Sequence, residues 1–177
     1  MPGKNSNFDS QFPPLPSPCP RMKLYLLRHG QADWPDWSGD DDDRPLTREG
    51  IAEMRAVALA LKVMKVQPDR VLASPLPRAL RTAELAAEAL ERQVETHDGL
   101  RPGFGRAEYD AIITAHDGGD LMLVGHEPDL SELTRSLTGA RVKFPKAATA
   151  AIEIDPDSPA PRLLWLFPAR MLIRLSR

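Results

Sequence analysis

The stretch Lys23-Leu-Tyr-Leu-Leu-Arg-His-Gly-Gln-Ala-Asp33 decides how this chain is read. An apolar run, Leu24 to Leu27, passes directly into a cation, an imidazole and glycine. Short continuous apolar runs of this kind are typical of a strand buried on both faces. Its abrupt end has two readings: a polar turn, or a loop that carries chemistry at the carboxyl end of a strand. The remainder of the chain decides between them.

From Lys23 onward, β-like runs alternate with longer helical ones. Residues 46–64 (LTREGIAEMRAVALALKVM) read as a helix with Thr47 as N-cap and Ile51, Met54, Ala58 and Leu61 on one face. Residues 69–74 (DRVLAS) read as a strand ended by Pro75, and residues 77–93 as an alanine-rich helix. A loop with Gly99, Pro102, Gly103 and Gly105 leads to a short helix near Ala107 to Ala115. Residues 120–126 (DLMLVGH) form the third predicted strand. Residues 128–139 form a helix closed by Gly139, and 149–155 with 162–167 a closing pair of strands. Strands alternating with helices predict an α/β fold of three layers, α/β/α, around a mainly parallel sheet.

Composition narrows the function. At 177 residues, with 42% hydrophobic and 27% charged content, the chain is expected to form one soluble domain over residues 22–177. A net charge of −2 gives no reason to expect nucleic acid or an anionic membrane as partner. No apolar run reaches the roughly 20 residues of a membrane span. No basic segment followed by an apolar one opens the chain, so a cytoplasmic location is expected. The single cysteine, Cys19, excludes an intramolecular disulfide and a cysteine-built metal site. Residues 1–21 hold six of the 18 prolines without periodicity and read as a disordered tail. Met22, just before the first strand, is an alternative start, and the PPLPSP segment has the composition of a polyproline ligand for a partner domain.

Ligands of open α/β sheets bind beyond the carboxyl ends of the strands. Three predicted strands end there in polar signatures: LLRHG (26–30), ASPLPRALRT (73–82) and LVGHEP (123–128). Together they bring Arg28, His29, Arg78 and His126 to one edge of the sheet. A single histidine at a strand end is usually structural. Two histidines and two arginines at equivalent ends point to an anion, because clustered cations repel unless one joins them.

The segments LYLLRHG (24–30), SPLPRALRTAE (74–84) and VGHEP (124–128) resemble the histidine phosphatase (phosphoglycerate mutase-like) superfamily. RPLTREG (44–50) and AATAAIEID (147–155) look most like its SixA-type phosphohistidine phosphatase branch. The resemblance implies that His29 is the nucleophile and becomes a transient phosphohistidine, while Arg28, Arg78 and His126 hold the phosphoryl oxygens. It implies no metal or other cofactor. It also implies that a backbone carbonyl near Gly30 takes the proton of the other ring nitrogen of His29. Planar guanidinium forks match phosphate oxygens, and neighbouring cations keep an imidazole neutral.

Gln31 and Asp33 either border the phosphoryl group or lie in a solvated loop, and Gln31 and Gly30 are counted with the substrate-binding residues. Ser74 is read as turn-forming, with a phosphate contact as the alternative. Arg81 is read as helix surface, Asp40 to Asp43 as a solvated acidic loop, and His97 and His116 as surface residues. Trp34, Trp37 and Trp165 are read as packing, with the first two as an alternative wall of the site entrance.

Many members of the superfamily add a carboxylic acid to protonate the leaving group. The candidates are Glu127, after the late histidine, and Asp98 and Glu108, with Glu95 also in that region. Glu127 stands where one common arrangement of the superfamily has Asp, an inexact match, and Glu95, Asp98 and Glu108 lie in no recognisable motif. A phosphorylated imidazole needs such an acid less than an alcohol does, which favours a phosphohistidine protein as substrate. A small phosphate monoester is the competing substrate class, and a non-catalytic phosphate-binding module is the competing function.

Overall fold

The computed structural model describes residues 21–175. The proline-rich segment, Cys19 and the expected tail lie outside the described residues, apart from Arg21. Six strands form one sheet in the order β3-β2-β4-β1-β5-β6. The strands are β1 (Met22–Arg28), β2 (Arg70–Ala73), β3 (Val94–Thr96), β4 (Leu121–Gly125), β5 (Thr149–Ile154) and β6 (Arg162–Phe167). The first four pair in parallel; β5 is antiparallel to β1 and β6 to β5.

The apolar run that opens the sequence is the middle of this sheet. Successive strand side chains point to opposite faces, so β1 feeds two cores at once. Tyr25 and Leu27 join Val71, Met122 and Val124 under helices α1 (Arg48–Val63), α2 (Pro77–Leu90) and α5 (Ala169–Leu175). Leu24 and Leu26 join Leu72, Leu121 and Leu123 under α3 (Arg106–Thr114) and α4 (Asp129–Thr138). Leu24, Leu26 and Leu27 are fully buried. The three-layer arrangement expected from the alternation is the one observed.

One strand and one α-helix escaped the sequence reading. β3 falls where a loop was expected; it is three residues long at the sheet edge, with only Val94 half-buried, too little to show a period. Helix α5 has seven residues and buries only Ala169 and Leu172. His116, expected at the surface, has a side chain only 2% exposed, because its Nε2 bonds the Gly119 carbonyl at 3.0 Å and folds the ring into the turn before β4. Among the described residues no helix is long and apolar enough to cross a membrane.

Helix α1 is fixed to the loop after β1 by close backbone contact. Thr47 caps it, its Oγ accepting the Gly50 N–H at 3.0 Å, and the Thr47 N–H donates to the Gln31 carbonyl at 2.9 Å. A Cβ at Gly50 would lie 2.2 Å from the Gln31 carbonyl oxygen, and one at Gly30 would lie 2.8 Å from Cγ of Met54. Gly30 is therefore required for close approach to α1 rather than for an unusual turn. We predict that Gly50→Ala lowers stability by about 1–3 kcal/mol despite the better helix propensity of alanine, because a main-chain atom cannot give way. The midpoint of urea unfolding measures this.

Candidate active site

β1 and β4 are neighbours, yet the helices that follow them lie on opposite faces of the sheet. Such a switch point leaves a crevice at the carboxyl ends of the two strands. The ladder ends with Arg28 opposite Gly125, and the His29 N–H donates to the Gly125 carbonyl at 3.1 Å. The next residues along, His29 and His126, therefore sit side by side, with ring centroids 5.2 Å apart.

Both rings are buried, 7% and 4% exposed. Nδ1 of His29 lies 2.8 Å from the Gly30 carbonyl oxygen. A carbonyl can only accept, so the proton of the neutral ring is on Nδ1 and Nε2 carries a lone pair. Burial pushes the His29 pKa down to about 3; the Gly30 bond opposes this, and His126, Arg78 and Arg28 reinforce it. Burial, with Arg78 and Arg28, lowers His126 to about 4. Both imidazoles are neutral at physiological pH.

The two guanidiniums are gripped from outside. Nη1 of Arg28 donates to the Phe144 carbonyl at 2.7 Å. Nη1 of Arg78 donates to the Asp41 carbonyl at 2.6 Å, and its Nη2 lies 3.3 Å from the Asp41 carboxylate. The Nε of each arginine is buried and has no hydrogen-bond partner among the described residues. An unmatched buried donor costs about 1–3 kcal/mol, so two of them beside two neutral rings favour an anion.

The acidic run is therefore more than a solvated loop. Its residues are exposed, but Asp41–Asp43 form a 3₁₀ turn capped by Asp40, and the Asp41 carbonyl in that turn holds Arg78. The Asp41 carboxylate also pairs with Arg44 at 2.8 Å. Ser74 is fully buried and its Oγ lies 2.9 Å from Nε2 of His126. Thr82, absent from the sequence reading, is fully buried too; its Oγ accepts the Gly30 N–H at 3.0 Å and donates to the Arg78 carbonyl at 2.7 Å. One hydroxyl thus ties the turn that carries His29 to the helix that carries Arg78. A threonine four residues after an arginine on a predicted helix was the available signal. The contributions of the Phe144 and Asp41 carbonyls had none, because main-chain groups are the same for every residue.

The remaining candidates make other contacts, and the charge of Glu127 also acts on Arg28. Oε1 of Glu127 accepts from Ser131 Oγ and from the Phe144 N–H, both at 2.6 Å. Through Phe144 it braces the carbonyl that holds Arg28. Asp98 is exposed and pairs with Arg101 at 3.2 Å, Glu108 accepts the Gly105 N–H at 2.9 Å as a cap of α3, and Glu95 pairs with Arg70 at 2.8 Å. Gln31 contributes its carbonyl to Thr47, and Asp33 pairs with Lys146 and lies 3.9 Å from Arg44. Arg81 pairs with Glu84 on α2, and His97 is exposed. The Trp34 and Trp37 rings are 40% and 37% exposed, their indole N–H groups donating to the Pro45 and Asp40 carbonyls. Among the described residues no three His, Cys, Asp or Glu side chains gather as a metal site.

Two outcomes follow from this geometry. Thr82→Val removes the acceptor of a buried N–H, and is expected to cost about 1–3 kcal/mol in denaturant unfolding. The second concerns acid. Both histidines have folded-state pKa values below the unfolded value near 6.5, so between those limits the unfolded chain binds more protons. Stability should rise as pH increases from about 3 to about 6.5 and gain nothing further from these groups above that. Thermal unfolding across a pH series measures the slope, and His29→Asn should flatten it.

Residues 24–110 match the family described as the histidine phosphatase superfamily (branch 1). The phosphohistidine phosphatase SixA of Escherichia coli is 30% identical over 142 residues, which span 76% of this chain and 86% of that protein. An uncharacterised protein of Picosynechococcus is 37% identical over 135 residues, 71% of this chain and 81% of its own length. A solved structure of the protein histidine phosphatase SixA complexed with tungstate superposes with a TM-score of 0.76 at 28% identity, covering 85% of this chain and 99% of that one. With the two imidazoles and two guanidiniums gathered on this fold, the chain belongs to the histidine phosphatase superfamily.

Proposed function

We propose that this chain is a metal-independent phosphatase that acts on protein phosphohistidine through a phosphohistidine intermediate on His29. The observation that carries the reading is the fixed tautomer of His29. Its Nδ1 proton is committed to the Gly30 carbonyl, so Nε2 offers a lone pair within the electrostatic reach of buried Arg78 and half-buried Arg28. That nitrogen attacks phosphorus, and the bond from phosphorus to the leaving nitrogen breaks. Arg28 and Arg78 present their Nε–H groups to the phosphoryl oxygens, whose negative charge the site must stabilise. Water then attacks the phosphoryl group on His29, releasing phosphate and restoring the neutral ring.

The positions of the three candidate acids support the choice of substrate. Glu127, Asp98 and Glu108 are engaged by Phe144 and Ser131, Arg101 and Gly105, and no hydrogen bond joins any of them to His29 or His126. An alkoxide leaving group needs a positioned acid, whose loss typically costs about 10²–10⁴-fold in rate. A histidine leaving group takes its proton from solvent.

A turnover panel tests the reading. Phosphorylated histidine in a carrier protein and phosphoramidate should be hydrolysed in preference to alkyl phosphate monoesters, and EDTA should leave the rate unchanged. His29→Ala should abolish turnover. His126→Ala and Arg78→Ala should reduce it by about 10²-fold or more with circular dichroism unchanged. Faster hydrolysis of the monoesters, or loss of activity in EDTA, contradicts the reading.

A further inference from the structure

Ser74 follows directly on β2, and the sheet fixes its place. Ala73 is paired with Val124, and the Ser74 N–H donates to the Val124 carbonyl at 3.0 Å. Pro75 follows and holds Ser74 in an extended conformation. Two residues beyond Val124 stands His126, whose Nε2 lies 2.9 Å from Ser74 Oγ. The contact is inaccessible to solvent on the serine side, where exposure is 0%.

The direction of this bond follows from counting protons. A hydroxyl has one hydrogen and two lone pairs. Ser74 Oγ accepts the Leu76 N–H at 3.4 Å, and that neighbour can only donate. Among the described residues the other hydrogen-bond partner of Oγ is Nε2 of His126. If Nε2 carried the ring proton, the buried serine hydrogen would have no acceptor, at a cost of about 1–3 kcal/mol. With the serine as donor, both groups are satisfied. Burial keeps the ring neutral, so its one proton then resides on Nδ1.

We propose that Ser74 is a positioning residue that holds His126 as the Nδ1–H tautomer and so makes that nitrogen a donor to a phosphoryl oxygen. The target of the donor rests on the phosphatase reading above; the tautomer does not. The arrangement completes a division of labour between two chemically identical rings. The Gly30 carbonyl forces a proton onto Nδ1 of His29 and leaves Nε2 to attack. The Ser74 hydroxyl withholds the proton from Nε2 of His126 and leaves Nδ1–H to donate. The opposite tautomer of His126 would turn a lone pair toward a phosphoryl oxygen, which is repulsive.

Long-range ¹H–¹⁵N correlation spectra of the uniformly labelled full chain at pH 7 test the proposal, with His126→Asn to assign the ring. The wild type should show His126 protonated at Nδ1 and unprotonated at Nε2; a protonated Nε2 overturns the proposal. In Ser74→Ala, His126 should move toward the Nε2–H form while the His29 signals stay in place. Tungstate affinity and kcat/KM should each fall about tenfold, and Ser74→Thr should restore both. A loss of activity in Ser74→Ala with an unchanged His126 tautomer would make the role of the serine merely structural and overturn the proposal. If the wild type has the expected tautomer but cleaves no phosphoryl donor, it is the phosphatase reading that fails, and the donor loses its target.

Discussion

The parallel pairing of β1 with β4 is the constraint on which the site depends. Five rungs, from Leu24 opposite Leu121 to Arg28 opposite Gly125, leave His29 and His126 adjacent at the end of the ladder. Alternation of side chains makes the register unforgiving: a slip of one residue would exchange the two buried faces of β1 and turn His29 away from the crevice. The apolar residues of β1 are thus part of the chemistry, since the burial of Leu24, Leu26 and Leu27 holds the register that aims the imidazoles.

Around that frame the site resolves an electrostatic conflict. Two arginines and two histidines in one buried crevice would repel one another if all were charged. Burial removes the charge from both rings, and main-chain carbonyls of Phe144 and Asp41 take up the outer faces of the guanidiniums. The result is a pocket with two fixed positive charges, one bare ring nitrogen and several oriented donors. A phosphoryl group needs positioning and charge stabilisation more than covalent help. The hydroxyls of Thr82 and Ser74 provide the orientation, one linking Gly30 to α2 and the other governing His126.

Most of this architecture was legible because it is written in side chains. The two-sided apolar run of β1, the Thr47 cap and the Gly139 terminus of α4 each have a local physical signature, and the fold class followed from their alternation. The convergence of Arg28, His29, Arg78 and His126 followed from three strand ends. What escaped was short or carried by the main chain. β3 and α5 bury too few residues to show a period, and the carbonyl of Asp41 has no sequence signal. The acidic run misled for a related reason. Four consecutive carboxylates read as solvated, and they are exposed, yet the 3₁₀ turn they build grips Arg78 with its backbone.

The central claim is that Nε2 of His29 carries a phosphoryl group during turnover. The direct measurement is a rapid quench into alkali, where phosphohistidine survives, after brief exposure of the enzyme to ³²P-labelled phosphohistidine protein, followed by peptide mapping. The account predicts label on the peptide that contains His29, attached at Nε2, and none in His29→Ala. Turnover without label at His29, or label that persists in His29→Ala, would contradict it.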